Sequence, residues 1–243
     1  MGRVSSSPAP VRADDPGTVL LFDLDGTITD SHEGITRSYV HALGRIGVEA
    51  PSADFLRGIV GPPLRASMAA YGLDDAQITA AVAAYRERYH RVGWLENRVF
   101  DGMGELIADL AAAGRTMAVA TSKNEPIARR IVEHFGLAPY FTHVAGASDD
   151  GTRPTKADVI DHVLDVLQSN VTTPRVVMIG DRSHDVLGAA AHGIPTIGVR
   201  WGYAPPGELE AAQAAAGLGR VAGRTTDQWT VDSVQRLREE LGV

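Results

Sequence analysis

Short apolar runs recur along the chain with helical stretches between them: Val19-Leu-Leu-Phe22, Met117-Ala-Val-Ala120, His143-Val-Ala-Gly146, Val176-Val-Met-Ile179 and Thr196-Ile-Gly-Val199. None alternates apolar with polar, which is the pattern of strands buried on both faces. Strands and helices in alternation predict a parallel sheet covered by helices on each side. Between the first and second runs lie about ninety residues, far more than one crossover helix needs, so something is inserted there.

The insertion reads as helical throughout. Asp30 and Ser31 offer N-caps, with Glu33 placed as in a capping box and Gly47 able to end that helix. Ala53 to Gly58 reads as a short helix, and Gly61-Pro62-Pro63 as a loop opening another that runs to Tyr71. Asp74 or Asp75 caps a helix to about Val92, with Ile78, Val82, Tyr85 and Tyr89 along one face. From Phe100-Asp101-Gly102 the α/β pattern resumes, and Gly114 closes a helix before the second strand. The expected organisation is a tail over residues 1–17, an α/β core over 18–30 and 100–243, and a helical unit over 31–99. No internal repeat is present.

Composition narrows the function classes. A chain of 243 residues with ordinary globular usage can bury its own core. The absence of cysteine removes disulfides and thiolate metal sites together, and fits a reducing cytoplasm. Any metal must be held by oxygen or imidazole. A formal charge of -7 speaks against a nucleic-acid or anionic-membrane partner. Met1 to Gly17 is rich in Ser, Pro and Ala, lacks the apolar stretch of a signal peptide, and reads as a mobile tail. No apolar run approaches the ~20 residues of a membrane helix.

The chemistry gathers at strand ends. Phe22-Asp23-Leu24-Asp25-Gly26-Thr27 follows the first strand directly, and the C-terminal edge of an open parallel sheet is where ligands bind. Gly26 lets the chain leave the strand sharply, so that Asp25 turns toward the same point as Asp23. A carboxylate such as Asp23 attacks phosphorus to give an acyl phosphate, splitting one hard hydrolysis into two easier steps. The leaving alkoxide needs a proton and the incoming water needs a base, a task that suits Asp25. Carboxylates facing a phosphate dianion call for a hard divalent cation, and Gly180-Asp181-Arg-Ser-His-Asp185, again directly after an apolar strand, supplies oxygen ligands one helical turn apart. Thr121-Ser122-Lys123 ends the second strand, where a hydroxyl and helix-start amides hold phosphate oxygens. Lys156, at the onset of an amphipathic segment, neutralises charge shared between Asp23 and the phosphoryl group.

Each piece alone has a plainer reading, as a turn, a helix cap or a solvated face; the four in this order, three at strand ends, do not. Together they resemble the haloacid dehalogenase superfamily of phosphatases over Thr18 to Tyr203. Asp23-Leu-Asp25-Gly-Thr27 is similar to its first motif, Thr121 to its second, Lys156 to its third and Gly180-Asp181-x-x-x-Asp185 to its fourth. The resemblance implies a Rossmann-like α/β core with an inserted all-helical cap, and an aspartate nucleophile at Asp23 with Asp25 as acid/base. It further implies Mg²⁺ among Asp23, the Asp25 carbonyl and Asp181, with Asp185 in support, and a phosphate bound near Gly26, Thr121 and Ser122. Many relatives follow the third-motif lysine with Pro, whereas here Pro154 precedes Lys156, which keeps Lys123 in view as the other lysine. Gly61-Pro62-Pro63-Leu64-Arg65 resembles the cap segment that reaches the leaving group, and Arg65 is the residue expected there.

Two substrate classes follow. One is a small phosphorylated metabolite, phosphoglycolate or a nucleoside monophosphate. The other is protein tyrosine, because Ala145 to Lys156 and Trp201-Gly-Tyr203 are similar to the nucleotidase-like branch and to the mycobacterial protein tyrosine kinase A type. For that reading Tyr39, Tyr71, Tyr85 and Tyr89 are candidate acceptors, although no Gly-rich kinase loop or HRD segment is present. Dehalogenation fits poorly, since it leaves Asp25, Asp181 and a metal without a task, and a non-catalytic binding module fits less well still. His184 and His32 read as partners of carboxylates or solvated groups, Tyr85 and Tyr89 as core of the helical unit, Trp94 and Trp201 as packing anchors, Arg86-Glu-Arg88 as a solvated face, and Glu208 to Leu218 as an outer helix.

Overall fold

A computed structural model describes residues 11–168, 175–217 and 229–243. Its core among the described residues is a six-stranded sheet in the order β5-β4-β1-β6-β7-β8, every neighbouring pair parallel. The strands are β1 (Thr18–Phe22), β4 (Met117–Asn124), β5 (His143–Ala147), β6 (Arg175–Gly180), β7 (Thr196–Val199) and β8 (Thr230–Val231). The five expected runs all form strands of this sheet. β8, two residues long on the edge, was not expected; so short a run carries no readable pattern.

Strand alternation divides the core into two layers. Leu20, Phe22, Met117, Val119, Val177 and Ile179 pack on one face with α5 (Met103–Ala112), α6 (Glu125–His134) and α10 (Val234–Leu241). Val19, Leu21, Ala118, Ala120, Val176 and Met178 pack on the other, against α7 (Lys156–Gln168) and α8 (Ser183–Ala190). Both faces being covered is why the runs lack alternation. α9 (Glu208–Ala215) lies outermost on α8, with Leu209 and Ala212 buried between them. Leu218, the expected end of that helix, lies outside the described residues.

The insertion holds α1 (His32–Arg45), α2 (Ala53–Gly58), α3 (Leu64–Ala70) and α4 (Asp75–Arg91). Its sequence caps behave unevenly. Asp74 and Gln77 form a reciprocal capping box at α4. At α1 the expected box is absent: Ser31 makes no side-chain cap, and Asp30 is drawn instead to Arg98 and Tyr203. The unit is also not wholly helical, since β3 (Arg98–Val99) pairs antiparallel with β2 (Thr29–Asp30) where the insertion leaves and rejoins the core. Arg88, expected on a solvated face, is instead half-buried, with a bidentate pair to Glu96 at 2.8 and 2.9 Å.

Residues 11–17, expected within the mobile tail, form turns on the core. The buried Arg115 guanidinium donates to the carbonyls of Ala13 and Leu241, which ties this segment to the C-terminal helix. Residues 1–10 lie outside the described part. Among the described residues no helix is long and apolar enough to cross a membrane.

Candidate active site

β1, β4 and β6 are adjacent and parallel, so their C-terminal ends bring Asp23, Thr121 and Asp181 to one edge of the sheet. The Asp23 amide still donates to the Ile179 carbonyl at 2.9 Å, as the last rung of the β1–β6 ladder. The chain then turns through Gly26, at φ +82°, and the Leu24 carbonyl collects the amides of Ile28 and Thr29. Gly26 is required twice over: a Cβ there would also stand 2.2 Å from Asp181 Oδ2. Gly202 and Gly180 do the same service, a Cβ meeting Asp181 at 2.3 Å and Asp185 at 2.4 Å respectively.

Lys156, the first residue of α7, is the lysine that reaches Asp23. Its Nζ lies 2.7 Å from Asp23 Oδ1, 2.6 Å from Asp185 Oδ1 and 2.8 Å from the Ala120 carbonyl, with the side chain 3% exposed. Lys123 does not reach Asp23; its Nζ binds Asp25 Oδ2 at 2.6 Å. The bulge between Ala120 and Asn124 of β4 is what turns Thr121-Ser122-Lys123 out of the regular ladder. Thr121 is buried, its hydroxyl accepting from the Lys123 amide, and Ser122 is half-buried beside it. Arg65 is exposed on α3, and no described interaction joins it to the carboxylates.

Carboxylate oxygens of Asp23, Asp181 and Asp185 all lie within 4.8 Å of one another, and all three residues are buried. The Lys156 ammonium pairs with two of these three acidic groups, Asp23 and Asp185. Burial, with repulsion from Asp185, pushes the Asp23 carboxyl up to about 6 against the pull of Lys156. Burial and the same repulsion hold Asp181 well above the usual carboxylate range. Lys156 moves the other way from a typical buried amine: burial disfavours its charge, but Asp185 and Asp23 outweigh that and raise it. Asp181 Oδ1 and Asp25 Oδ1 are buried and have no hydrogen-bond partner among the described residues. A small dication bound by oxygen would satisfy the Asp181 orphan and balance the surplus of negative charge, so Asp23, Asp181 and Asp185 fit a hard metal ion.

Each of two carboxylates of this cluster is held by a backbone amide whose own side chain reaches the insertion. The Tyr203 amide donates to Asp181 Oδ2, and the Tyr203 phenol meets Asp30, Ser31 and His32. The Arg182 amide donates to Asp185 Oδ2 at 3.0 Å, while its guanidinium grips Glu208 and the Val60 carbonyl. Gly61 seats against that side chain, where a Cβ would stand 2.9 Å from Arg182 Cγ and 3.0 Å from its Nη1. Sequence reasoning saw Arg182 and Tyr203 only as parts of motifs, because their partners are remote in the chain. Trp201 packs as expected and also donates from Nε1 to the Thr27 carbonyl of the Asp23 loop. His184 and His32 do not carry ring hydrogen bonds to carboxylates; His184 Nδ1 and His32 Nε2 are buried and unpartnered among the described residues.

Comparison with known proteins supplies the chain's relatives. A family model described as haloacid dehalogenase-like hydrolase matches residues 20–199. The chain is 46% identical over 235 residues to a Mycobacterium tuberculosis protein named tyrosine-protein kinase PtkA, covering 96% of this chain and 76% of that one. It is also 46% identical over 195 residues to a 5'-nucleotidase of Pseudomonas aeruginosa, covering 80% and 87%. Among solved structures, a predicted phosphatase from Clostridium acetobutylicum superposes with a TM-score of 0.80 at 38% identity, over 92% of this chain and 97% of that one.

Proposed function

Since the chain belongs to the haloacid dehalogenase-like hydrolases and is a phosphatase of that family, we propose that it hydrolyses a small phosphomonoester with Mg²⁺ through an aspartyl-phosphate on Asp23. The observation that carries this reading is the meeting of Asp23, Asp181, Asp185 and Lys156 at one buried point.

An Asp23 carboxylate oxygen attacks phosphorus, and the bond from phosphorus to the leaving oxygen breaks. Asp25 gives its proton to that oxygen, so an alcohol departs rather than an alkoxide. Asp25 then takes a proton from the water that attacks the acyl phosphate; phosphate leaves and Asp23 is restored. Lys156 holds Asp23 in place and keeps positive charge beside the phosphoryl oxygens. Asp23, Asp181 and the Asp25 carbonyl, with Asp185 in support, would hold Mg²⁺, which would supply charge neutralisation. Thr121, Ser122 and the loop at Gly26 lie along the same edge for the phosphate oxygens.

Residues 31–99 act as a cap over that edge. The bonds of Arg182 to Val60 and of Tyr203 to Ser31 and His32 support a closed arrangement, as does the approach of Lys123 to Tyr89. Arg65 stays a candidate for the leaving-group side. A cysteine-free chain acting on phosphometabolites suits the cytoplasm.

Transfer to protein tyrosine, the reading that the mycobacterial relative's name suggests, has less support. The chain is as identical to the nucleotidase as to that relative. Tyr39 is fully buried with its hydroxyl on the Ser67 carbonyl, Tyr89 is 3% exposed, and Tyr71 donates to the Glu49 carbonyl.

The test is phosphate release from a panel of phosphometabolites with Mg²⁺, beside Asp23→Asn. Release that needs both the metal and Asp23 is expected. No release from any member with Mg²⁺ bound would defeat the proposal.

A further inference from the structure

Arg182 follows Asp181 directly, and its side chain lies across the boundary between the core and the insertion. The residue is 6% exposed. Its Nε and Nη2 donate to the two carboxylate oxygens of Glu208, the first residue of α9, at 2.9 and 3.2 Å. The Ser183 amide at the start of α8 donates to Glu208 Oε1 at 2.8 Å. These partners all belong to the core, so the planar fork of the guanidinium is fixed there. Its Nη1 turns instead to the insertion, where it donates to the Val60 carbonyl.

The insertion is shaped for that meeting. Ile59 and Val60 are buried, and Gly61 turns the chain at φ +106°, where the three atoms nearest to an added Cβ all belong to Arg182. Pro62 and Pro63 follow and stiffen the turn. The helices on either side are shallowly seated: α2 buries none of its residues, and α3 buries Ser67 and Met68. Among the described residues, the bond to Arg182 is the hydrogen bond that joins α2, the turn and α3 to the core. If the turn lifts, Nη1 is left as a buried charged donor without an acceptor, which is costly. To reach water the side chain must give up Glu208, and this disturbs the residue whose amide holds Asp185 Oδ2 at 3.0 Å. We propose that Arg182 is a positioning residue that couples the seating of the Val60-Gly61 turn to Asp185, so that a seated turn and a bound cation at the carboxylate cluster favour each other. This rests on the reading of Asp23, Asp181 and Asp185 as the place for Mg²⁺.

The test pairs calorimetry of Mg²⁺ binding with limited trypsin digestion, read at the bonds after Arg57 and Arg65, exposed residues on the two sides of the turn. In wild-type protein Mg²⁺ should slow both cleavages by about tenfold, because coupling between two binding events is reciprocal. Gly61→Ala forces the turn off Arg182. It should speed cleavage and weaken Mg²⁺ by about tenfold, the effect of a disturbed outer shell, although residue 61 touches none of the carboxylates. Gly58→Ala, with nothing inside 4 Å, should leave metal affinity at the wild-type value. Arg182→Gln should weaken Mg²⁺ by about tenfold and make cleavage indifferent to the metal. Wild-type metal affinity in a Gly61→Ala protein that is cut faster, or wild-type cleavage that Mg²⁺ does not slow, overturns the coupling while metal-dependent phosphatase action stands. If wild-type protein binds no Mg²⁺, the reading beneath the inference falls and the inference with it.

Discussion

The backbone amide of Tyr203 donates to Asp181 Oδ2 at 2.7 Å. The phenol of the same residue donates to Asp30 Oδ1 at 2.9 Å and accepts from the amides of Ser31 and His32 at 2.8 and 3.1 Å. One residue thus joins a carboxylate of the buried acidic cluster to the segment where the chain leaves the core for the helical insertion, and Arg98 of the returning strand meets Asp30 on its other oxygen. A shift of the insertion is felt at Asp181 through a single residue.

Tyr203→Phe keeps the amide and the ring and removes three hydrogen bonds at the linker. It should cost about 2 kcal/mol of stability, read from urea midpoints. As a change at the linker that leaves the amide on Asp181 in place, it should alter kcat and KM together, lowering kcat/KM by about tenfold. Wild-type kinetics in Tyr203→Phe would mean that the linker does not govern the site.

Gly202→Ala tests how tightly Asp181 is fitted. A Cβ there would lie 2.3 Å from the carboxylate oxygen and 2.4 Å from the Asp181 Cβ, so the carboxylate must move. Mg²⁺ affinity by calorimetry should fall about 10- to 100-fold, as for a disturbed ligand shell. Gly44→Ala is the control: it lies within α1 with nothing inside 4 Å, and should stabilise the protein by about 1 kcal/mol with metal affinity unchanged.

Glu208 gives the pH dependence. Burial alone would raise its carboxyl, but the bonds from Arg182 at 2.9 and 3.2 Å and from the Ser183 amide at 2.8 Å carry it below the usual range. A depressed carboxyl contributes stability above its unfolded value of about 4.3, and that contribution is lost as pH falls through the lower, folded value. Glu208→Gln should therefore cost about 2 kcal/mol at pH 7. The gap to wild type in denaturant titrations should shrink below about pH 4. A gap that widens in acid would contradict the ion pair with Arg182.

Much of this was legible in the sequence for a physical reason. Strands buried on both faces must be apolar throughout, and β1, β4, β5, β6 and β7 announce themselves that way. Aspartates placed directly after β1 and β6 are carried to one edge by parallel pairing, whatever the rest of the chain does. Relations set by tertiary approach were not legible. Asp30 was read as a local cap, yet its oxygen goes to Tyr203, 173 positions away. The partition of Lys156 to Asp23 and Lys123 to Asp25 depends on the β4 bulge, which leaves no trace in residue type. The helical spacing of Tyr89 reads as core packing, and it is buried; only the tertiary approach of β4 to α4 brings Lys123 onto its ring.

The most direct test is to find the phosphoryl group in transit. Protein with Mg²⁺ is mixed briefly with a ³²P-labelled phosphomonoester that it turns over, quenched in acid and digested, and the label is located. The label should sit on the peptide that carries Asp23, be released by hydroxylamine as an acyl phosphate is, and be missing from Asp23→Asn. Steady phosphate release with no label on that peptide at any quench time, or a hydroxylamine-resistant label on a tyrosine of the insertion, would contradict Asp23 as the nucleophile.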